Sequence, residues 1–306
     1  MRSGFRHEAL IYRDGDEYLA ATLDFLRGGL EADEPALVTV SRPKAAMLEA
    51  ELGSDAGSVR FADMEALGRN PARIIPFWRD FLDARPGRPV RAIGEPVWPG
   101  RSEVEIDECR RHECLVNTAF GSAAGYSLLC TYDASALDDE VLEGVGRSHM
   151  AVASERTRRP SRDYEADGDC FAGELNGRPA GTAGFIFERT DLAEVRRQVE
   201  ESAEAVGVPP LDVAALVVAA SELAANSVAH GGGVGTLRIW TEPGKLLIEV
   251  QDGGRIEEPL VGRMRPTMTQ EGGRGLWMAN QLCDLVQIRS GEDGTTVRLQ
   301  AARPSP

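Results

Sequence analysis

The 306-residue sequence predicts two domains, an α/β domain built on a parallel sheet and a second domain of long helices and strands. Three observations carry this reading. Strand-like and helix-like segments alternate through residues 8–133, which favours a parallel sheet covered by helices on both faces. Apolar periodicity then disappears across residues 154–180, a polar stretch rich in Gly and Pro that suits an inter-domain connection. Beyond it the chain offers two helices, a hairpin, a glycine-rich helix start and two more strands. The expected boundaries are a first domain over 1–153, a linker over 154–180 and a second domain over 181–302.

In chain order, ALIY at 9–12 is a short apolar run, and Asp14 and Asp16 offer a helix start before an amphipathic segment that Gly28 and Gly29 should terminate. PALVTV at 35–40 is a second strand, Ser41 and Pro43 open a helix through Leu52, and residues 59–61 form a third strand. A longer helix follows Pro71. VRAIGE at 90–95 is a strand, 103–120 a helix, YSLLCTYD at 126–133 a strand and 138–150 the closing helix.

In the second half, AGFIFER at 183–189 is a strand and Asp191 caps a helix running to Val206. Gly207, Pro209 and Pro210 punctuate the chain before the long apolar helix that Leu211 begins and the glycines at 231–235 end. TLRIW and KLLIEVQD form a hairpin around Glu242, Pro243 and Gly244. CDLVQIRS and GTTVRLQA complete a sheet expected to be mixed.

A net charge of −15 argues against nucleic acid as the main partner, since phosphate backbones are bound by clustered Lys and Arg. An acidic chain can still bind a nucleotide through backbone amides and a metal. The N-terminus lacks a signal-peptide pattern and no run approaches the roughly 18 apolar residues of a membrane span, so the expectation is a soluble, cytoplasmic protein. The five cysteines, 109, 114, 130, 170 and 283, are odd in number and scattered, which does not suit a disulfide framework. Cys109, His112 and Cys114 cluster on one helix, yet their spacing fits no standard zinc pattern and free cysteines are commonly small buried hydrophobes. No GxxxxGK[ST] follows any strand, so no P-loop is expected. His7, Glu95, Trp98, Asn117 and Tyr132 lie near predicted element ends, where a parallel sheet binds ligands. Arg156, Arg158, Arg159 and Arg162 read as a solvated linker, with contact to a phosphate or an acidic partner as the alternative.

The chemistry concentrates in the second half. Within LVVAASELAANSVAH (216–230), Glu222 and Asn226 are four apart, so a helix stacks them on one face. Polar groups on an apolar helix need partners: either a neighbouring element bonds them, or they line a phosphate pocket as a carboxylate base and an amide ligand for magnesium. Asp252 ends a buried strand before Gly253 and Gly254, where a carboxylate can accept the exocyclic amine hydrogen of adenine; the bland reading is a turn-forming Asp-Gly. Gly272, Gly273 and Gly275 precede or open a helix whose free N–H groups and positive dipole end suit phosphates.

FRHEALIYRDGDEYLAATLDFLRGGLEADEPALVTV, RAIGEPVW and ECLVNTAF followed by LLCTYDASAL resemble the MEDS sensory domain over about 5–150. The resemblance implies a RecA-like α/β module without nucleotide chemistry that senses a small molecule. The series ExxxN on a helix, DxG after a strand, GGRGL opening a helix and then GTTV, over about 180–302, resembles the GHKL, or histidine-kinase-like, ATPases and specifically the anti-sigma-factor serine kinases. It implies an α+β ATPase sandwich in which Asn226 coordinates Mg²⁺ bridging the phosphates of ATP, Glu222 is the general base, Asp252 and Thr295 hold adenine, and Gly254, Gly273 and Gly275 shape the pocket and lid. Two departures stand out: Ile256 occupies the second glycine position of the DxGxG box, and the lid over 255–270 follows no family pattern.

The function implied is an anti-sigma-factor regulatory protein that phosphorylates a serine on an antagonist of the STAS type, with a sigma factor as a further partner and control by an N-terminal ligand-sensing domain. Neither DNA nor membrane is an expected partner, and homodimerisation is left open. The alternatives are a non-catalytic ATP-dependent partner-binding switch and a soluble histidine kinase. For the last, none of His7, His112, His149 and His230 sits in an H-box-like segment.

Overall fold

The computed structural model describes residues 4–154, 157–165, 171, 173–266 and 273–302. The chain separates into two compact units, Met1–Gly168 and Asp169–Pro306. Cys170 and Arg156 lie outside the described residues.

The first unit is a seven-stranded sheet of β1 (Arg6–Tyr12), β2 (Ala36–Val40), β3 (Val59–Asp63), β4 (Val90–Gly94), β5 (Tyr126–Asp133), β6 (Ala151–Ser154) and β7 (Thr157–Pro160), in spatial order β3-β2-β4-β5-β1-β6-β7. Every pairing is parallel except the hairpin β6–β7. All five residues of β2 are buried, as are the first seven of β5, as befits strands covered on both faces.

The covering helices are α1 (Gly15–Glu31), α2 (Arg42–Leu52), the single turn α3 (Met64–Leu67), α4 (Ile74–Asp83), α5 (Glu103–Phe120) and α6 (Asp139–Ser148). Local chemistry sets their ends. Asp14 caps α1 by accepting the Glu17 N–H at 2.8 Å, and Ser102 with Glu105 forms a capping box on α5. Gly53, with φ of 55°, stops α2.

Two details differ from the sequence reading. Gly28 and Gly29 do not terminate α1, which runs through them. They clear room for Arg91: a Cβ on Gly29 would stand 2.7 Å from Arg91 Cδ, and Arg91 bonds the Phe25 carbonyl at 2.6 Å and Glu34 at 2.5 Å. The polar segment after Ser154 also contains β7, an edge strand with all four residues exposed, so it carries no apolar alternation to read.

The second unit has one sheet of β8 (Gly184–Phe187), β9 (Gly235–Glu242), β10 (Lys245–Asp252), β11 (Leu285–Gly291) and β12 (Gly294–Ala302), ordered β11-β12-β10-β9-β8. Instead of mixed, every ladder is antiparallel. The connections explain this: β8 reaches β9 through two helices, α7 (Leu192–Ala205) and α8 (Pro210–His230), so the direction reverses three times and β9 runs opposite to β8. The single helix α9 (Arg274–Leu282) returns the chain to β11 in the direction of β10, and β12 inserts between them.

The helices pack against the sheet around α8. Leu216, Ala219, Ala220, Leu223 and Ala224 meet Val195 and Val199 of α7, Ala279 of α9 and Ile248, Val250 and Leu299 of the sheet. Each fully buried Leu, Ile or Val contributes about 1.5–3 kcal/mol relative to exposure. Contrary to the sequence reading, α8 has the length and apolar composition of a membrane span; its alanines raise the hydropathy while serving close helix packing inside this unit.

Candidate functional site

The C-terminal end of α8, the end of β10 and the start of α9 enclose a cleft of about 250 Å³. Asn226, Asp252, Gly254, Gly273 and Thr295 line it. Five of the residues singled out in the sequence thus meet in one place.

Asp252 is the polar anchor. Its Oδ2 accepts the Ser227 hydroxyl at 2.6 Å and its Oδ1 accepts the Gly254 N–H at 2.8 Å. A carboxylate offers about four lone-pair sites, so acceptor capacity is left for a ligand amine. Gly231 is required here, because a Cβ on it would lie 2.4 Å from Asp252 Cγ. Register places Thr295 of β12 directly opposite Asp252. The Thr295 hydroxyl donates to the Gly254 carbonyl at 2.8 Å and pairs with Ser290 Oγ at 2.7 Å. Ser290 Oγ in turn accepts the Ile256 N–H at 2.8 Å. The residue in the second glycine position of the box is therefore held by its backbone, and its side chain packs against the core.

Glu222 and Asn226 converge on the start of α9. A Cβ added to Gly275 would stand 3.0 Å from Asn226 Nδ2 and 3.1 Å from Glu222 Oε2. Both side chains are half-buried, and Asn226 alone of the two lines the cleft. Gly273 caps α9 with φ of 77°, a left-handed conformation that favours glycine. Gly272 and residues 267–270 of the expected lid lie outside the described residues. The described part of the lid is tied back at Gly262, whose carbonyl accepts from Asn280 at 2.9 Å.

Ser227 and Ser290 went unnoticed in the sequence, and Gly231 was read only as a helix end. Ser227 directly follows Asn226 on a buried helix, a signal available beforehand; Ser290 depends on the β11–β12 register and left none.

In the first unit, the ligand-pocket residues divide. Tyr12, Lys44 and Glu95 form a buried cluster at the carboxyl ends of β1 and β4, with Lys44 paired to Glu95. Burial raises the Glu95 pKa, and the Lys44 ammonium opposes that rise. Trp98 stacks under Arg101, 3.5 Å from ring centre to guanidinium carbon. His7 and Asn117 bond each other at 3.0 Å, and Tyr132 is buried nearby, edge-on to His149. Cys109 and His112 do not converge on a shared ligand point: the Cys109 thiol, pushed up to about 12 by burial, donates to the Pro96 carbonyl at 3.2 Å, and His112 packs against Trp78.

Residues 6–150 match the family described as the methanogen/methylotroph, DcmR sensory domain, MEDS. Residues 186–301 match the histidine kinase-like ATPase domain family. No curated protein matches the chain. A solved structure of the RsbU and RsbW domains of Rv1364c from Mycobacterium tuberculosis matches at 25% identity over 40% of this chain and 34% of that chain, with a TM-score of 0.28. The chain thus joins a MEDS sensory domain to a histidine kinase-like ATPase domain.

Proposed function

We propose that the second unit binds Mg-ATP and transfers phosphate to a serine on an anti-sigma-factor antagonist of the STAS type, under control of a ligand sensed by the first unit. A histidine kinase-like ATPase domain implies ATP binding. The observation that carries the finer reading is the meeting of Glu222 and Asn226 at Gly275, beside the cleft floored by Asp252.

Asp252 would accept the exocyclic amine of adenine, with Thr295 fixing the neighbouring backbone. The α9 N-terminus directs N–H groups and a positive dipole end toward phosphates. Asn226 would hold Mg²⁺, which supplies charge neutralisation on the phosphates. Glu222 would take the proton of the attacking serine hydroxyl. A site in the cytoplasm and a sigma factor as second partner belong to the same proposal.

A serine on a partner fits better than an internal histidine. His7, His112 and His149 are fully buried, so none can reach a nucleotide without local unfolding. His230 is exposed but lines the nucleotide cleft itself.

The test is incubation with radiolabelled ATP and a candidate antagonist. Transfer by the wild type, lost in Glu222→Ala with ATP binding retained, is the expected result. ATP binding without label on any antagonist would leave the non-catalytic switch as the reading, and acid-labile label on this chain would indicate a histidine kinase.

A further inference from the structure

The first unit contains a second chemical centre, independent of the nucleotide cleft. His7 from β1, Glu113 from α5, Cys130 from β5 and His149 just after α6 bring one ligand atom each to a common point, all within 4.8 Å of one another. His7, Cys130 and His149 are fully buried and Glu113 is 2% exposed. Glu113 Oε2 lies 3.0 Å from His7 Nε2 and 3.3 Å from His149 Nε2. Cys130 Sγ lies 3.4 Å from His7 Nε2 and 3.6 Å from Glu113 Oε2.

The surrounding hydrogen bonds fix what these atoms offer. Asn117 donates through Nδ2 to the Ser148 carbonyl at 2.8 Å, which turns its Oδ1 toward His7 Nδ1 at 3.0 Å. An amide oxygen only accepts, so His7 Nδ1 carries the proton and Nε2 presents a lone pair. His149 Nδ1 faces the Val145 carbonyl at 2.8 Å, and the same argument leaves its Nε2 as a lone pair. Two imidazole lone pairs therefore point at one buried carboxylate oxygen. The Tyr132 hydroxyl also reaches the Glu113 carboxyl, at the edge of the cluster.

One cation at the common point satisfies these acceptors together. A single added proton bridges only one imidazole to the carboxylate and leaves the second lone pair facing it. The Cys130 thiol donates at 3.6 Å to the carboxylate alone. Two added protons would leave a net positive charge in the interior, which is heavily disfavoured. A divalent ion with a deprotonated Cys130 gives two anionic and two neutral ligands and a centre of zero net charge. Tetrahedral coordination with bonds of about 2.0–2.3 Å separates neighbouring ligand atoms by roughly 3.3–3.7 Å; the four separations around Glu113 and His7 run from 3.0 to 3.6 Å and the remainder stay within 4.8 Å. Ring N–H groups held by an amide oxygen and a backbone carbonyl are the supports that metal-bound histidines ordinarily have.

We propose that His7, Glu113, Cys130 and His149 bind one divalent transition-metal ion of the Zn²⁺ class in the sensory domain. A thiolate with two imidazoles selects such ions over Mg²⁺ and Ca²⁺. Binding releases the Cys130 thiol proton to solvent as the S–metal bond forms. A cavity of about 350 Å³, lined by Val97, Glu113, Tyr132, Val145 and Ser148, reaches Glu113 and supplies an approach for the ion and for a small molecule.

The experiment uses the full chain, stripped of metal and titrated with Co²⁺ in the absence of nucleotide. The expected result is one Co²⁺ per chain, with tetrahedral visible bands and a near-ultraviolet thiolate-to-cobalt charge-transfer band, both displaced by Zn²⁺. Cys130→Ser abolishes the charge-transfer band. Cys114→Ser, beside the cavity but outside the cluster, leaves it unchanged. Asn117→Ala weakens metal affinity about 10–100-fold while Cys130 still binds. A folded wild type that takes up neither ion overturns the proposal, as does a charge-transfer band that survives Cys130→Ser. The wild-type titration decides even where a ligand variant fails to fold.

Discussion

The Ser227 hydroxyl donates to the Asp252 carboxylate at 2.6 Å and so ties α8 to the end of β10 at the floor of the cleft. Hydrogen bonds to charged groups contribute about 1.5–3 kcal/mol. Asp252→Ala removes the acceptor expected to read adenine and strands the Gly254 N–H, so ATP affinity should fall about 10–100-fold on that scale. Ser227→Ala keeps the carboxylate but frees its orientation, and the loss should be nearer a few-fold. Calorimetric titration of both variants against ATP and GTP checks this. Equal affinity of Asp252→Ala and wild type would remove Asp252 from the adenine site.

Gly275→Ala separates folding from function in one methyl group. Within α9, alanine is preferred over glycine by about 1 kcal/mol, so helix stability alone predicts no loss. The added Cβ would stand 3.0 Å from Asn226 Nδ2 and from Glu222 Cβ and 3.1 Å from Glu222 Oε2, so these neighbours must give by a few tenths of an ångström and α8 with them. The helix gain and the contact with Glu222 Cβ oppose each other, so the expected outcome is a melting temperature without nucleotide that changes by a few degrees at most and a reduced shift on adding Mg-ATP. Thermal melts with and without Mg-ATP measure it, and Asn226→Ala should reproduce the reduced shift.

The Lys44–Glu95 pair predicts a pH effect on the first unit. Burial raises the Glu95 pKa above its ordinary value of 4.5, with Lys44 opposing. A carboxyl raised on folding binds more protons in the folded than in the unfolded state, so its contribution weakens stability as pH rises above that ordinary value. Lys44→Met removes the opposing charge and should make stability fall more steeply with rising pH. Glu95→Gln should flatten the profile. Denaturant titrations from pH 4 to 8 (about one unit apart) compare the three chains; parallel profiles would exclude this pair as the source.

Much of the fold was legible because its signals are local. Strand β2 is apolar except for Thr39 and buried throughout, and α1 opens on a capping aspartate, so each element announces itself. That residues of the second half meet at one cleft was legible in part for the same reason: Glu222 with Asn226, Asp252 with Gly254, and Gly273 with Gly275 are each short-range pairs. What escaped depends on distant register or on exposure. Strand β7 is wholly exposed and has no apolar face to betray it. Gly28 and Gly29 looked like a helix stop because the guanidinium they accommodate arrives from β4. His7, Glu113, Cys130 and His149 lie on four different elements with no recurrent spacing, so only the parallel pairing of β1 with β5 and the seating of α5 and α6 assemble them.

The outer structure of the second sheet rests on one buried carboxylate. Glu249 of β10 is 1% exposed and accepts from Arg298 of β12 at 2.7 and 3.1 Å and from Arg178 at 2.6 Å, with Arg238 of β9 3.6 Å away. Arg298, 4% exposed, also donates to the carbonyls of Asn176 and Leu175, fastening the segment before β8 across this sheet, and lies 5.0 Å from the centre of the Trp240 ring. Removing one partner of a buried pair costs about 3–5 kcal/mol because the remaining charge stays buried and unpaired. Glu249→Ala should therefore lower stability by about that amount and expose the chain around Arg178 to proteolysis. Glu249→Leu combined with Arg298→Leu replaces the pair with apolar volume and should restore part of the loss, since such exchanges are often near neutral. Equilibrium unfolding of the two variants measures the difference; equal destabilisation of both would mean that the Arg298 bonds to the Asn176 and Leu175 carbonyls, and not the ion pair, hold this face.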